Sequence, residues 1–222
     1  MKALTIGLIL LAVSSVPAFG QDVAYEIAFP NRAHHEAEIT AVFSNLSSRD
    51  ALQIRMSRTS PGRYALHEFA KNVYNVRVFN GSGHELTATK PNPHQWDVAG
   101  HDGTVRMTYT LFGDRADGTY TGINSRYAHL NMPATFVWAR GLESAPVTVT
   151  FHVPEPGWDI ATQLYAAGRE HEYHAPNFWY FIDSRTHIGR IGWRAWEVTD
   201  ENGQKHAIRL ALDHDGTEVD LE

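Results

Sequence analysis

Val23-Ala24-Tyr25-Glu26-Ile27-Ala28-Phe29 decides the class of fold. Every second side chain is apolar, so an extended chain can bury one face while the other stays in water. The same alternation predicts strands over 36–43, 51–56, 73–79, 94–98, 104–112, 134–138, 147–153, 158–164, 178–182, 192–198 and 206–212. Many of these runs are rich in Val, Ile, Thr and aromatics, which suit a pleated, half-buried surface. Between them stand Asn80-Gly81, Asp102-Gly103, Asp117-Gly118, Asn202-Gly203 and Asp215-Gly216, pairs that admit the positive φ of tight hairpin turns. Helical spacing is confined to 64–73, where Ala65, Leu66, Phe69, Ala70 and Val73 fall near one face. The expectation is an all-β, antiparallel β-sandwich with one short helical turn, spanning residues 21–185, followed over 186–222 by two further strands and an acidic end.

The first residues read differently. Met1-Lys2 precedes an apolar run from Ala3 to Val13 and the small-residue stretch Ser14 to Gly20, the pattern of a secretory signal peptide over 1–20. The apolar run falls short of the roughly 20 residues that cross a bilayer, and no comparable run follows, so no membrane span is expected. The mature chain would then begin at Gln21. The 222 residues contain no cysteine, which removes disulfides, thiol catalysis and a lipidated cysteine together. Export without disulfides points to a bacterial periplasm. A formal net charge of -6 without Lys/Arg clusters offers phosphates no positive face, so no nucleic-acid partner is expected.

Thirteen histidines call for a metal check. A helical zinc hydrolase needs two histidines four apart, with a glutamate directly after the first. His35-Glu36, His67-Glu68, His84-Glu85 and His171-Glu172 are followed at the required position by Ile39, Lys71, Ala88 and Ala175, so none qualifies. His174 lies three after His171, which on a strand places the two on opposite faces. Gly81-Ser82-Gly83 lacks the strand-turn-helix setting of a nucleophile elbow. Asp97, Asp102, Asp114 and Asp117 could in principle pair as glycosidase carboxylates, but Asp102 and Asp117 precede glycines and read as turn residues. The expectation is no catalytic residue, no metal ligand and no cofactor in this chain. Of the six tryptophans, Trp138, Trp158 and Trp196 read as core, while Trp96 and Trp179 are freer to stack on a sugar.

Three groups of residues carry a resemblance. Phe29-Pro30-Asn31-Arg32-Ala33-His34-His35, then Ser60-Pro61-Gly62-Arg63-Tyr64 with Glu68-Phe69-Ala70-Lys71-Asn72-Val73, then His129-Leu130-Asn131-Met132-Pro133-Ala134, resemble the N-terminal domain of the glycyl-aminopeptidase family of zinc metallopeptidases. The resemblance covers nearly the whole mature chain. It implies a non-catalytic β domain, followed in the family by a thermolysin-like zinc domain and a PDZ domain, with 186–222 as a linker and the start of a truncated catalytic domain. The zinc ligands and the catalytic glutamate have no matching positions here, so zinc is expected only in that absent domain. Its implied partners are a catalytic metallopeptidase domain, in cis or in trans, and peptide substrate through that domain. By the same resemblance Tyr120, Tyr127, His129 and Asn131 form a candidate substrate-facing loop, while Pro61, Gly62, Tyr64 and Phe69 are structural motif residues. A stand-alone periplasmic module binding peptide or carbohydrate is the alternative.

Overall fold

The computed structural model of the chain describes residues 22–46, 50–214 and 216, so the expected signal peptide and most of the acidic end lie outside the described residues. In chain order the first strands are β1 (Asp22–Ala28), β2 (Glu36–Ser44), β3 (Leu52–Arg55), β4 (Val73–Asn80), β5 (Glu85–Leu86), β6 (Ala88–Asn92), β7 (Gln95–Val98), β8 (Val105–Phe112) and β9 (Gly122–Ile123). There follow β10 (Tyr127–Leu130), β11 (Trp138–Ala139), β12 (Val147–Phe151), β13 (Asp159–Thr162), β14 (Tyr165–Ala166), β15 (Glu172–Ala175), β16 (Thr186–Gly189), β17 (Gly192–Thr199) and β18 (Lys205–Leu212). Two short helices interrupt them, α1 (Met132–Thr135) and α2 (Phe178–Asp183).

The strands form a β-sandwich. An eight-stranded sheet in the order β14-β15-β12-β1-β2-β8-β4-β5 shares one apolar core with two four-stranded sheets, β13-β16-β10-β9 and β11-β3-β7-β6. Val23, Tyr25 and Ile27 of β1 point inward beside Ile39, Ala41 and Phe43 of β2, as the alternation demands. Each large apolar side chain buried in this way contributes roughly 1.5–3 kcal/mol. The pairing of β1 with β12 is parallel, because a long crossover rather than a hairpin joins them; the other strand pairings are antiparallel.

Several local expectations are corrected. Residues 178–182 are helical rather than extended, and the strand expected over 134–138 is reduced to its last residue: Ala134 and Thr135 close α1, and only Trp138 enters a strand, β11. Pro133 sits in the first turn of α1, and the Asn177 side chain accepts a hydrogen bond from the Tyr180 N–H to cap α2. The stretch 64–73 contributes only a short 3-10 turn, Phe69–Asn72. Trp96 is buried at 2% exposure and so is not free, whereas Trp196 stands 48% exposed rather than in the core. Strand β16 lies between β13 and β10, so the sandwich runs through Gly189, beyond the boundary read at 185.

Two buried tyrosines hold the turn after α1. Tyr25 Oη donates to the Val137 carbonyl at 2.7 Å and Tyr109 Oη donates to the Thr135 carbonyl at 2.8 Å. The Val137 N–H donates in turn to Tyr109 Oη at 3.2 Å. Burial pushes both phenols well above the usual tyrosine range, so they remain neutral hydrogen-bond donors.

The hairpin β17–β18 pairs with no other strand among the described residues. Register places Trp196 opposite Ile208, Arg194 opposite Leu210 and Val198 opposite His206, so these side chains share one face. Trp196, Val198, Ile208 and Leu210 are all exposed on it. The base of the hairpin is tied to the sandwich by Trp193, whose Nε1 donates to Asp159 Oδ2 at 2.6 Å.

Candidate functional site

The sheet β13-β16-β10-β9 has an apolar and a polar face, and register assigns each residue. Ala128, Ile188 and Ile160 stand opposite one another and enter the core, so their neighbours His129, His187 and Ala161 form a row on the other face. His129 and His187 are direct cross-strand partners with ring centroids 5.8 Å apart, and the Tyr127 ring lies 5.5 Å from His187. Opposite them comes the segment leaving β18, where Asp213 Oδ2 lies 2.7 Å from His187 Nε2. Between these parts opens a cleft of about 300 Å³ lined by Gly118, Arg126, Tyr127, His129, His187 and Asp213 among others.

His129 is the group best suited to meet a ligand here. Its Nε2 is buried without a hydrogen-bond partner. Desolvation, then the neighbouring His187 and Arg185, hold its pKa below the usual imidazole value, against a smaller opposing pull from Asp117. A neutral imidazole with an unsatisfied nitrogen can exchange one hydrogen bond with a polar group entering the cleft.

The other residues of the expected loop lie elsewhere. Tyr120 is packed edge-on against His67 and Phe69, with Arg115 and Lys71 4.5 and 5.3 Å from its ring centre. Asn131 is only 1% exposed and faces the interior. Its Nδ2 donates to Ser60 Oγ at 2.7 Å and to the Thr119 carbonyl, tying the turn before Pro61 to the loop that carries Tyr120. Only Tyr127 and His129 of the four line the cleft. Their partners His187 and Asp213 carry no local sequence signal, because only the pairing of β16 with β10 and the return of the chain after β18 bring them to the cleft.

Among the motif residues, Phe69 is fully buried, while Pro61 and Gly62 form an exposed turn in which Gly62 adopts φ +74. The Arg63 N–H donates to the Ser60 carbonyl at 3.1 Å and closes that turn. Tyr64 is fully exposed. Among the described residues no three His, Cys, Asp or Glu side chains converge into a group that could hold a metal ion. Glu172 and His174 lie on β15, preceded by His171 in a left-handed conformation, and the His174 ring packs on Tyr165 at 5.4 Å. No helix of the described residues is long and apolar enough to cross a membrane.

The family profile described as Peptidase M61 N-terminal domain matches residues 24–190. Among curated protein sequences none matches significantly. Among solved structures, an aminopeptidase N family protein from Idiomarina loihiensis superposes with a TM-score of 0.73 at 19% identity, over 86% of this chain and 33% of its own. An aminopeptidase A from Legionella pneumophila, solved with aspartic acid, gives 0.47 at 10% identity over 86% of this chain and 23% of its own. An M1 zinc metallopeptidase from Deinococcus radiodurans gives 0.40 at 11% identity over 85% of this chain and 46% of its own. The chain thus spans a third of the length of the Idiomarina protein whose fold it shares.

Proposed function

Because the chain belongs to the Peptidase M61 N-terminal domain family, we propose that it is the non-catalytic leading β domain of an exported zinc aminopeptidase, docking on a catalytic domain and shaping that domain's substrate pocket. The observation that carries this reading is the hairpin β17–β18. It begins at Gly192, just past the family match that ends at 190, and leaves Trp196, Val198, Ile208 and Leu210 open on one face. A two-stranded ribbon with an uncovered apolar face is marginal in water and gains stability when a further sheet or core closes over it. The catalytic domain supplies that cover, and zinc is held there. The cleft beside Tyr127 and His129 lies at the base of the same hairpin, where Asp213 completes it. In this arrangement its polar groups flank the entry to the active site.

Reading the native gene past the codon for Glu222 tests the proposal. An in-frame His-Glu-x-x-His within the length of a catalytic domain is the expected result. A stop codon directly after Glu222 would overturn it in favour of a stand-alone ligand-binding module.

A further inference from the structure

A second concave site lies away from the histidine cleft and belongs entirely to the sandwich. It is a groove of about 400 Å³ between the end of β3, the edge strand β11 and the first turn of α2. Its floor is a continuous run of rings. The Arg55 guanidinium lies 5.7 Å from the Trp138 ring centre, Trp138 lies 5.1 Å from Phe178, and Phe178 lies 5.4 Å from Trp179. Trp179 is 62% exposed, and Pro61 and Ile182 complete the apolar lining.

The charge of the groove is unbalanced. Of its two arginines, Arg58 is committed to Glu68, with Nε 2.8 Å from Oε1. Arg55 meets the Trp138 ring, its charge is felt by His94, and it is paired with no carboxylate among the described residues. His94 is neutral or cationic in either protonation state and so supplies no counter-charge to Arg55; desolvation, followed by repulsion from Arg58, holds its pKa below the usual imidazole value, with Glu68 opposing. A half-buried guanidinium stacked on an indole is preorganised for a bidentate carboxylate. Aromatic walls beside it favour an apolar side chain next to that carboxylate.

We propose that the Arg55–Trp138–Phe178–Trp179 groove is a peptide-binding subsite that takes a free C-terminal carboxylate preceded by an aromatic or branched apolar side chain. The carboxylate pairs with Arg55 and the side chain lies against Trp179 and Phe178. A sugar would use the aromatic floor but leave Arg55 without a counter-charge. The site requires no catalytic domain, so it stands apart from the proposed role of the chain in an aminopeptidase.

The test is a titration of the 15N-labelled 222-residue chain with N-acetyl-Leu-Phe, following the indole N–H signals. The Trp138 and Trp179 signals are expected to shift saturably, with the others still. N-acetyl-Leu-Phe amide, or the acid with Arg55→Gln, is expected to bind at least about tenfold more weakly, which is ~1.4 kcal/mol. Trp179→Ala, at an exposed position that leaves folding intact, is expected to weaken binding to a similar degree. Equal binding of acid and amide would overturn the proposal, as would no binding of either, or shifts produced by maltoheptaose and not by the peptide.

Discussion

Asp102 does at one loop what Asn131 does at another: a single polar side chain holds separate segments together. Its carboxylate accepts from the Gly81 and Ser82 N–H groups at 2.8 and 3.0 Å, from Ser82 Oγ at 3.0 Å and from the Thr104 N–H at 3.3 Å. The Gly81 hydrogen bond first, then those from Ser82 and Thr104, bring its pKa to about 2 against an opposing desolvation. An unfolded aspartate titrates near ~3.9. The folded value is therefore the lower one, and the stability this group contributes is complete above pH ~4 and is lost as pH falls towards 2. Asp102→Asn is expected to flatten the fall of the urea midpoint between those two pH values, and an unchanged slope would assign the acid sensitivity elsewhere. The sequence named Asp102 as a turn residue through its glycine neighbour. It could not name Gly81 and Ser82 as its partners, because nothing local connects two loops about twenty positions apart.

At the scale of elements, α2 is where pattern reading and structure part most clearly. Phe178, Tyr180 and Ile182 alternate with Trp179 and Phe181, so the run is apolar at both periods and the alternation is uninformative. The deciding residue is Asn177, whose Oδ1 accepts from the Tyr180 N–H at 2.9 Å. Asn177→Ala is expected to cost about 1 kcal/mol, typical of a lost N-cap, measured by urea unfolding. It should also weaken the peptide site, since α2 carries Phe178 and Trp179. A variant as stable as the parent would show that burial of Phe181, not the cap, fixes the helix. Long amphipathic strands such as β1, β2, β8 and β12 were legible because one face is buried along their whole length. Two-residue strands such as β5, β9 and β14 were not, because they contain no period to read. The cleft was half legible for a related reason. His129 opens a recognisable motif and Tyr127 lies in the loop that the resemblance assigns to the substrate, whereas His187 reaches the site only through the register of β16 against β10.

For the molecule as a whole, the distribution of apolar surface is the feature that bears on function. The sandwich buries most of its large apolar side chains, with Trp179, Tyr165 and Phe112 as exposed exceptions, yet Trp196, Val198, Ile208 and Leu210 remain together on the hairpin, and Tyr64 and Leu66 stand exposed on the loop after Gly62. Scattered exposed apolar residues are ordinary, but four on one face of one ribbon form a patch of the kind that marks a contact surface. If that face is a docking surface, the chain alone should satisfy it by self-association. Sedimentation velocity is expected to show a weight-average mass that rises with concentration. The triple variant Trp196→Ser, Ile208→Ser, Leu210→Thr should sediment as a monomer throughout. Because the hairpin pairs with no other strand among the described residues, the same variant should leave the unfolding midpoint of the sandwich unchanged within about 0.5 kcal/mol, the range of ordinary surface substitutions. A parent chain that stays monomeric at every concentration would remove the physical basis for docking through the hairpin. A variant that unfolds with the sandwich would instead make the hairpin part of this domain's own core.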